Sequence, residues 1–271
     1  MARFTTFLWA VSCALSARTA AADVTLPATV EVDIVFPRNE TYAPTPVLPL
    51  VFAIQNLAAA SSIGPLEITW LIMKLGSDQP IAGNQTVDKT DSTDPHYVNL
   101  WTGDLDGAES AGTYQLYWMV YYLACSGQKD NAGLSSGSRG NNFTFTLDPG
   151  AQQPDLSADL DACPAQSATI VIEEAWPVNV EPPRDACGVV SRSRSQPSAN
   201  PCAVKLDSAA ASSIAAEVTA SACAASPPAL TRGCPDPTET KDSSGSRVPV
   251  WSGLGMFTGP VLAGLLLLVL Q

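Results

Sequence analysis

Glu109-Ser-Ala-Gly112-Thr-Tyr114-Gln-Leu116-Tyr-Trp118-Met-Val120-Tyr-Tyr122 is the stretch that decides the fold. From Tyr114 onward it alternates. Leu116, Trp118 and Val120 take one face of an extended chain, and Tyr117, Met119 and Tyr121 take the other. Aromatic and β-branched residues with a period of two make a strand, not a helix. The entry into that strand is also specific. An acidic residue, a glycine and then a tyrosine form the corner that leads into strand F of immunoglobulin-like domains, where the tyrosine hydroxyl bonds back to the backbone. Leu116 stands where such a domain often has a cysteine.

Working outward, residues 24–148 read as short strands separated by Pro, Gly, Asn and Asp clusters. Val30, Val32, Ile34 and Phe36 alternate with Glu31 and Asp33, a strand with one wet face. Leu48, Leu50, Phe52 and Ile54 form a second, and Ile68, Trp70 and Ile72 a third, with Glu67 and Thr69 outward. Residues 80–87 and 96–101 are weaker candidates, and Phe143, Phe145 and Leu147 close the series. About seven strands in this length predict an antiparallel β-sandwich, with Trp70 as the buried tryptophan of strand C.

Residues 149–235 have a different composition. They hold five of the cysteines, many prolines and much alanine. Thr169-Ile-Val-Ile172 predicts a strand added to the sandwich. Val204, Leu206, Ala210, Ile214 and Val218 fall near helical spacing, predicting a helix that ends near Cys223. The expectation is a mainly β protein: an immunoglobulin-like sandwich over 23–148, then a disulfide-stapled, partly helical region over 149–235.

The two ends speak of compartment. Arg3, an apolar run from Phe7 to Leu15, and Ala20-Ala21-Ala22 make residues 1–22 a secretory signal, leaving Asp23 at the new N-terminus. Residues 254–271 carry an apolar tail with no basic residue after it. Residues 236–253 before it form a Ser/Pro-rich stalk and spacer. The small residues Ser243 and Ser244 are then the expected attachment points of a glycolipid (GPI) anchor. A retained transmembrane span is the alternative.

Cys13 leaves with the signal, so Cys125, Cys163, Cys187, Cys202, Cys223 and Cys234 remain. An even number in an oxidising compartment predicts three disulfides, and six cysteines allow 15 pairings. Asn39, Asn84 and Asn142 each begin an N-x-Thr sequon and are expected to carry glycans on surface loops. Arg3, Arg18 and Arg247 depart with the ends while all 26 acidic residues stay, so the ectodomain charge is about −15. That excludes nucleic acid and anionic lipid as partners, and leaves the membrane to be met only through the anchor.

The run Val30-Glu-Val-Asp-Ile-Val-Phe-Pro-Arg-Asn-Glu-Thr-Tyr-Ala-Pro44, the strand ending in Cys125, and Asn200-Pro-Cys-Ala-Val-Lys205 followed by Ala-Ala-Ala-Ser-Ser-Ile214 resemble a fungal family of secreted, often GPI-anchored proteins with a domain of unknown function. The resemblance covers roughly residues 24–235. It implies a cell-surface protein and brings no catalytic residues with it.

Catalytic chemistry is thin. The chain has one histidine, His96. Gly133-Leu-Ser135-Ser-Gly137 matches G-x-S-x-G, but it lies in what reads as a Gly/Ser/Asn loop and His96 precedes it, against the order of that motif's triad. Asp104, Asp106 and Glu109 make an acidic turn without EF-hand spacing. Glu173 and Glu174 are adjacent, so on a strand they point apart and cannot flank one sugar as a hydrolase pair. The expectation is a non-enzyme with no cofactor and no metal, a structural or adhesive wall component whose partners are cell-wall polysaccharide or wall proteins. A carbohydrate-binding module is the alternative, with Tyr117, Tyr121 and Trp101 as stacking rings, and a wall-remodelling glycoside hydrolase is the more distant one.

Overall fold

The computed structural model describes residues 24–87, 94–179, 186–191, 198–230 and 232–234. The signal segment, the stalk, Ser243, Ser244 and the apolar tail lie outside the described residues. Eight strands come from the front of the chain: β1 (Ala28–Phe36), β2 (Thr41–Tyr42), β3 (Leu48–Gln55), β4 (Leu66–Lys74), β5 (Pro80–Val87), β6 (His96–Thr102), β7 (Gly112–Gln128) and β8 (Asn131–Leu147). Among the described residues two more follow, β9 (Gln166–Pro177) and β10 (Ala186–Val190), and then one α-helix, α1 (Ser208–Ala224). The protein is mainly β, a large mixed sheet with little helix.

The sheet folds over on itself. One layer runs β5-β4-β7-β8-β2 and the other β6-β3-β1-β9-β10. β7 is long enough to serve both. Its first half pairs with β4, from Tyr114↔Lys74 to Tyr121↔Glu67, and its far end meets β10 in parallel at Ala124↔Gly188. This connectivity is that of an immunoglobulin-like sandwich, with β1, β3 and β6 in the places of strands A, B and E, and β4, β7 and β8 in those of C, F and G. The layers meet through Val32, Leu50, Phe52, Ile68, Leu116 and Trp118, all essentially without solvent contact. Phe52 of one layer meets Trp118 of the other edge-on, ring centres 5.7 Å apart.

The tyrosine corner is present. Tyr114 Oη donates to the Ser110 carbonyl at 2.8 Å, and its ring stacks on Phe145 at 5.4 Å. Gly112 precedes it at φ 146°, a conformation that side chains rarely adopt.

Three expectations need correction. Trp118 of β7, not Trp70, is the fully buried tryptophan; Trp70 is half-buried and lies across Gly83 of the edge strand β5. Without a side chain at 83 there is room for the indole, and among the described residues no further strand pairs beyond β5, so it keeps part of its surface in water. The segment 131–142 is not a loop. It pairs residue by residue with β7, from Gln128↔Asn131 through Tyr117↔Asn142. Glycine is a poor strand former alone, but here Tyr122 lies over Gly137 and Met119 over Gly140, so large residues of β7 fill the space that the glycines leave. Glu31 and Asp33 do point away from the core, but they are 7% and 0% exposed.

The cover over those two acids is the C-terminal segment. A short 3-10 turn, Pro201–Val204, packs at β1, and α1 lies against β6. Asp207 caps α1, accepting from the Ala210 amide at 2.7 Å, which is why the helix starts at Ser208. Ala211, Ile214, Val218 and Ala222 are its buried stripe, and Val204 and Leu206 are buried ahead of it rather than within it. Six cysteines form three disulfides: Cys125–Cys187 ties β7 to β10, Cys163–Cys202 ties the approach to β9 to the turn, and Cys223–Cys234 ties the end of α1 to the chain beyond it. β9 pairs with β1 from Ala28↔Ile172 to Ile34↔Gln166, so the sheet runs straight through the change of composition near residue 148.

Candidate functional site

Two outer faces flank the sandwich, and the candidate residues divide between them. On the β5-β4-β7-β8 layer, the outward positions of β7 are Gln115, Tyr117, Met119 and Tyr121, and those of β4 are Glu67, Thr69, Leu71 and Met73. All of these are half-exposed. The register sets Leu71 beside Tyr117, Thr69 beside Met119 and Glu67 beside Tyr121. Tyr121 Oη lies 3.5 Å from the Met119 sulfur. The result is a half-exposed apolar stripe, Leu71-Tyr117-Met119-Tyr121.

Asn142 and Asn84 border the same stripe. Asn142 is the cross-strand partner of Tyr117, and Asn84 is the partner of Thr69, one strand beyond Met119. Both asparagines are exposed, as is Asn39 in the turn after β1. Gln115 Nε2 donates to Asn142 Oδ1 at 2.9 Å, and Asn84 Nδ2 donates to Glu67 Oε1 at 2.9 Å.

Trp101 does not join Tyr117 and Tyr121. It sits on β6, in the other layer, and its indole N–H donates to Ser221 Oγ of α1 at 3.1 Å. Its neighbour on the same face, Asn99, donates to Glu217 Oε2 at 2.7 Å. These groups hold the helix to the sheet, so the three-ring platform expected from the sequence is reduced to two tyrosines.

Beneath the C-terminal cover lies the feature that sequence reasoning missed. Glu31 and Asp33 are two residues apart on β1 and share one face. Asp33 Oδ2 accepts from Gln55 Nε2 at 2.9 Å, and Glu31 Oε2 accepts from the Asn200 amide at 2.9 Å. Glu31 Oε1 and Asp33 Oδ1 are buried without a donor. Burial pushes the Asp33 carboxyl up to about 7; the Gln55 bond pulls it down, and the adjacent Glu31 charge and hydrogen bond push it up again. A proton on Asp33 gives one orphaned oxygen a hydrogen to donate and Glu31 an acceptor role, which resolves both. Asp33 has no solvent contact and Glu31 has little, because the C-terminal segment lies over both.

The remaining catalytic candidates do not assemble. Ser135 lies in mid-strand on β8, not on a strand-to-helix elbow. His96 opens β6, with its proton affinity lowered by burial. Glu174 accepts from the Trp176 indole at 3.0 Å and pairs with Lys129 at 3.5 Å, both of which hold its carboxyl below the usual range. In the acidic turn, Ser110 Oγ donates to the Asp106 carbonyl at 2.6 Å, and the Glu109 carbonyl accepts from Lys74 Nζ at 2.7 Å. Among the described residues, no group of three His, Cys, Asp or Glu side chains is placed to hold a metal ion.

A family model described as a domain of unknown function, DUF7136, matches residues 25–232. The match spans both layers of the sheet, the cover and all three disulfides but the last cysteine. Neither curated proteins nor solved structures provide a match to the chain.

Proposed function

This chain belongs to the DUF7136 family, and we propose that it is a secreted, N-glycosylated surface protein of a fungal cell wall or plasma membrane. In this reading it is held by a GPI anchor at Ser243 or Ser244 and acts as a non-catalytic structural or adhesive component. The observation that carries the reading is the joint state of the cysteines and sequons. All six cysteines of the ectodomain are paired, and all three sequon asparagines are exposed. Stable disulfides belong to an oxidising compartment, and an exposed sequon is open to the glycosylation machinery of that same compartment. Among the described residues no helix is long and apolar enough to cross a membrane. The acidic ectodomain suits contact with wall polymers or wall proteins and disfavours nucleic acid.

Carbohydrate binding is the second reading, and the Leu71-Tyr117-Met119-Tyr121 stripe is what favours it. The loss of Trp101 to α1 weakens it. Glycoside hydrolysis has less support: the acid pair is buried under the C-terminal segment, and Glu173 and Glu174 are solvent-facing neighbours on β9.

The test is expression of the full chain in a eukaryotic secretory host. Phosphatidylinositol-specific phospholipase C is expected to release the protein from membranes, and an N-glycosidase to shorten it on a gel. Retention by membranes after phospholipase treatment would refute the anchor. The released ectodomain is then sedimented with wall polysaccharide and the supernatant assayed for reducing sugar. Soluble sugar would overturn the non-catalytic assignment, and retention without sugar would favour the binding module.

A further inference from the structure

We propose that the outer face of the β5-β4-β7-β8 layer is the seat of the protein's own N-glycan, with the first N-acetylglucosamine residues on Asn142 lying across Tyr117 and Met119. The inference rests on the glycoprotein reading above and adds where the glycan lies and what it does. An apolar stripe left half in water is a liability for a monomer unless something covers it. The register supplies a cover. Asn142 is directly opposite Tyr117 in the β7–β8 pairing, with side chains on the same face, and such neighbours have Cβ atoms about 5 Å apart.

Three local features direct the glycan along the stripe rather than off it. Gln115 Nε2 holds Asn142 Oδ1 at 2.9 Å. Gln115 is one same-face step from Tyr117 on the side of Thr144, away from Met119. An amide whose oxygen is held toward Gln115 turns its Nδ2, the atom that is glycosylated, toward the Met119 side. Next on that side is Gly140, opposite Met119. A Cβ at Gly140 would meet the Trp118 carbonyl oxygen and, at 2.8 Å, Met119 Cγ, so glycine there keeps any side chain from standing over the Met119 floor beside Asn142. Finally, Tyr117 and Tyr121 are half-exposed on that floor, and a ring face there can take the C–H face of a sugar. Asn84, across Thr69 from Met119, closes the stripe on its other side. The occupant is thus tethered at the edge of its own site, and its effective concentration exceeds that of free polysaccharide competing for the same rings.

The test uses the full chain secreted from a glycosylating host. Site occupancy is read by glycopeptide mass spectrometry, and side-chain exposure by hydroxyl-radical footprinting. Wild type is compared with Asn142→Gln and Thr144→Ala, which remove this sequon in two ways, and with Asn39→Gln as a distant control. Labelling of Tyr117 is expected to rise about three-fold in both Asn142-sequon variants and to stay unchanged in Asn39→Gln. Tyr117→Ser is expected to speed endoglycosidase trimming at Asn142, and Tyr117→Phe to leave it slow. An occupied Asn142 with Tyr117 labelling equal in wild type and both variants overturns the proposal. So does a bare Asn142 on a chain glycosylated at Asn39, which leaves the secreted-glycoprotein reading standing. A chain with no glycan at any sequon sinks both. Concentration-dependent protection of Tyr117 in the absence of glycan assigns the face to a second copy instead, and also overturns it.

Discussion

The two outer faces of this sandwich differ in what lies over them. On the β9-β1-β3-β6 side, the chain returns to lay a 3-10 turn and a helix over the sheet, and even two carboxylates there are dry. On the β5-β4-β7-β8 side no segment returns among the described residues, and tyrosine, methionine and leucine stay half in water. A polar residue under cover must find partners or a proton, and an apolar residue in the open must find a ligand or tolerate water. The covered face therefore carries the stability and pH dependence of the molecule, and the open face carries its surface chemistry.

The largest effect expected from that contrast is at the Cys125–Cys187 bridge, which closes a loop of 62 residues. Replacing both cysteines with serine is predicted to cost about 4 kcal/mol in urea unfolding, from the loop entropy restored to the unfolded chain. Hydrogen exchange after reduction should show β10 and the cover opening before β4 and β5; the reverse order would break the comparison. Next is Ile214→Ala under the cover, expected to lose about 3 kcal/mol, against less than about 1 kcal/mol for Leu71→Ala on the open face. Equal losses would mean that the open face is covered after all.

The acid pair gives the pH test. The Asp33 carboxyl titrates at about 7 folded and near 3.8 in its ordinary state. Its folded pKa is raised, so the native state holds the extra proton between those values. Stability from this group is full below about pH 4 and is lost as pH rises toward about 7. Asp33→Asn should flatten that slope in pH-dependent thermal melts while keeping the Gln55 contact through its amide oxygen. An undiminished slope in the variant would assign the titration elsewhere. Tyr114→Phe is expected to cost about 1 kcal/mol for one buried hydrogen bond, with no change in the pH slope.

What could be read locally was read correctly where both partners sit close in sequence. Tyr114 and Ser110 are four residues apart, so the corner they form was visible in the acidic-glycine-tyrosine pattern. The alternation of β7 gave its two faces without reference to any other strand. Errors arose where a residue's surroundings came from far along the chain. Trp70 and Trp118 are cross-strand partners with the same inward parity, and what separates them is that Trp70 lies against Gly83 of the edge strand β5 while Trp118 meets Phe52 of the other layer. The glycines at 133, 137 and 140 look like a loop until Met119 and Tyr122 are set across from them. Glu31 and Asp33 look solvated until Asn200, 169 residues after Glu31, arrives above them. One signal for that cover was present. Leu48 to Ile54 is apolar at both parities, which is the mark of a strand buried on both faces.

The sequence by itself determined the strand periodicity, the tyrosine corner, the helix near Cys223 and the positions of the sequons, because each depends on residues within a turn or a few steps of one another. Tertiary structure alone decided the disulfide partners, the burial of Glu31 and Asp33, the removal of Trp101 from the tyrosine face and the pairing of Tyr117 with Asn142. Those depend on which distant segments are brought together, and periodicity along one strand carries no record of what lies across it.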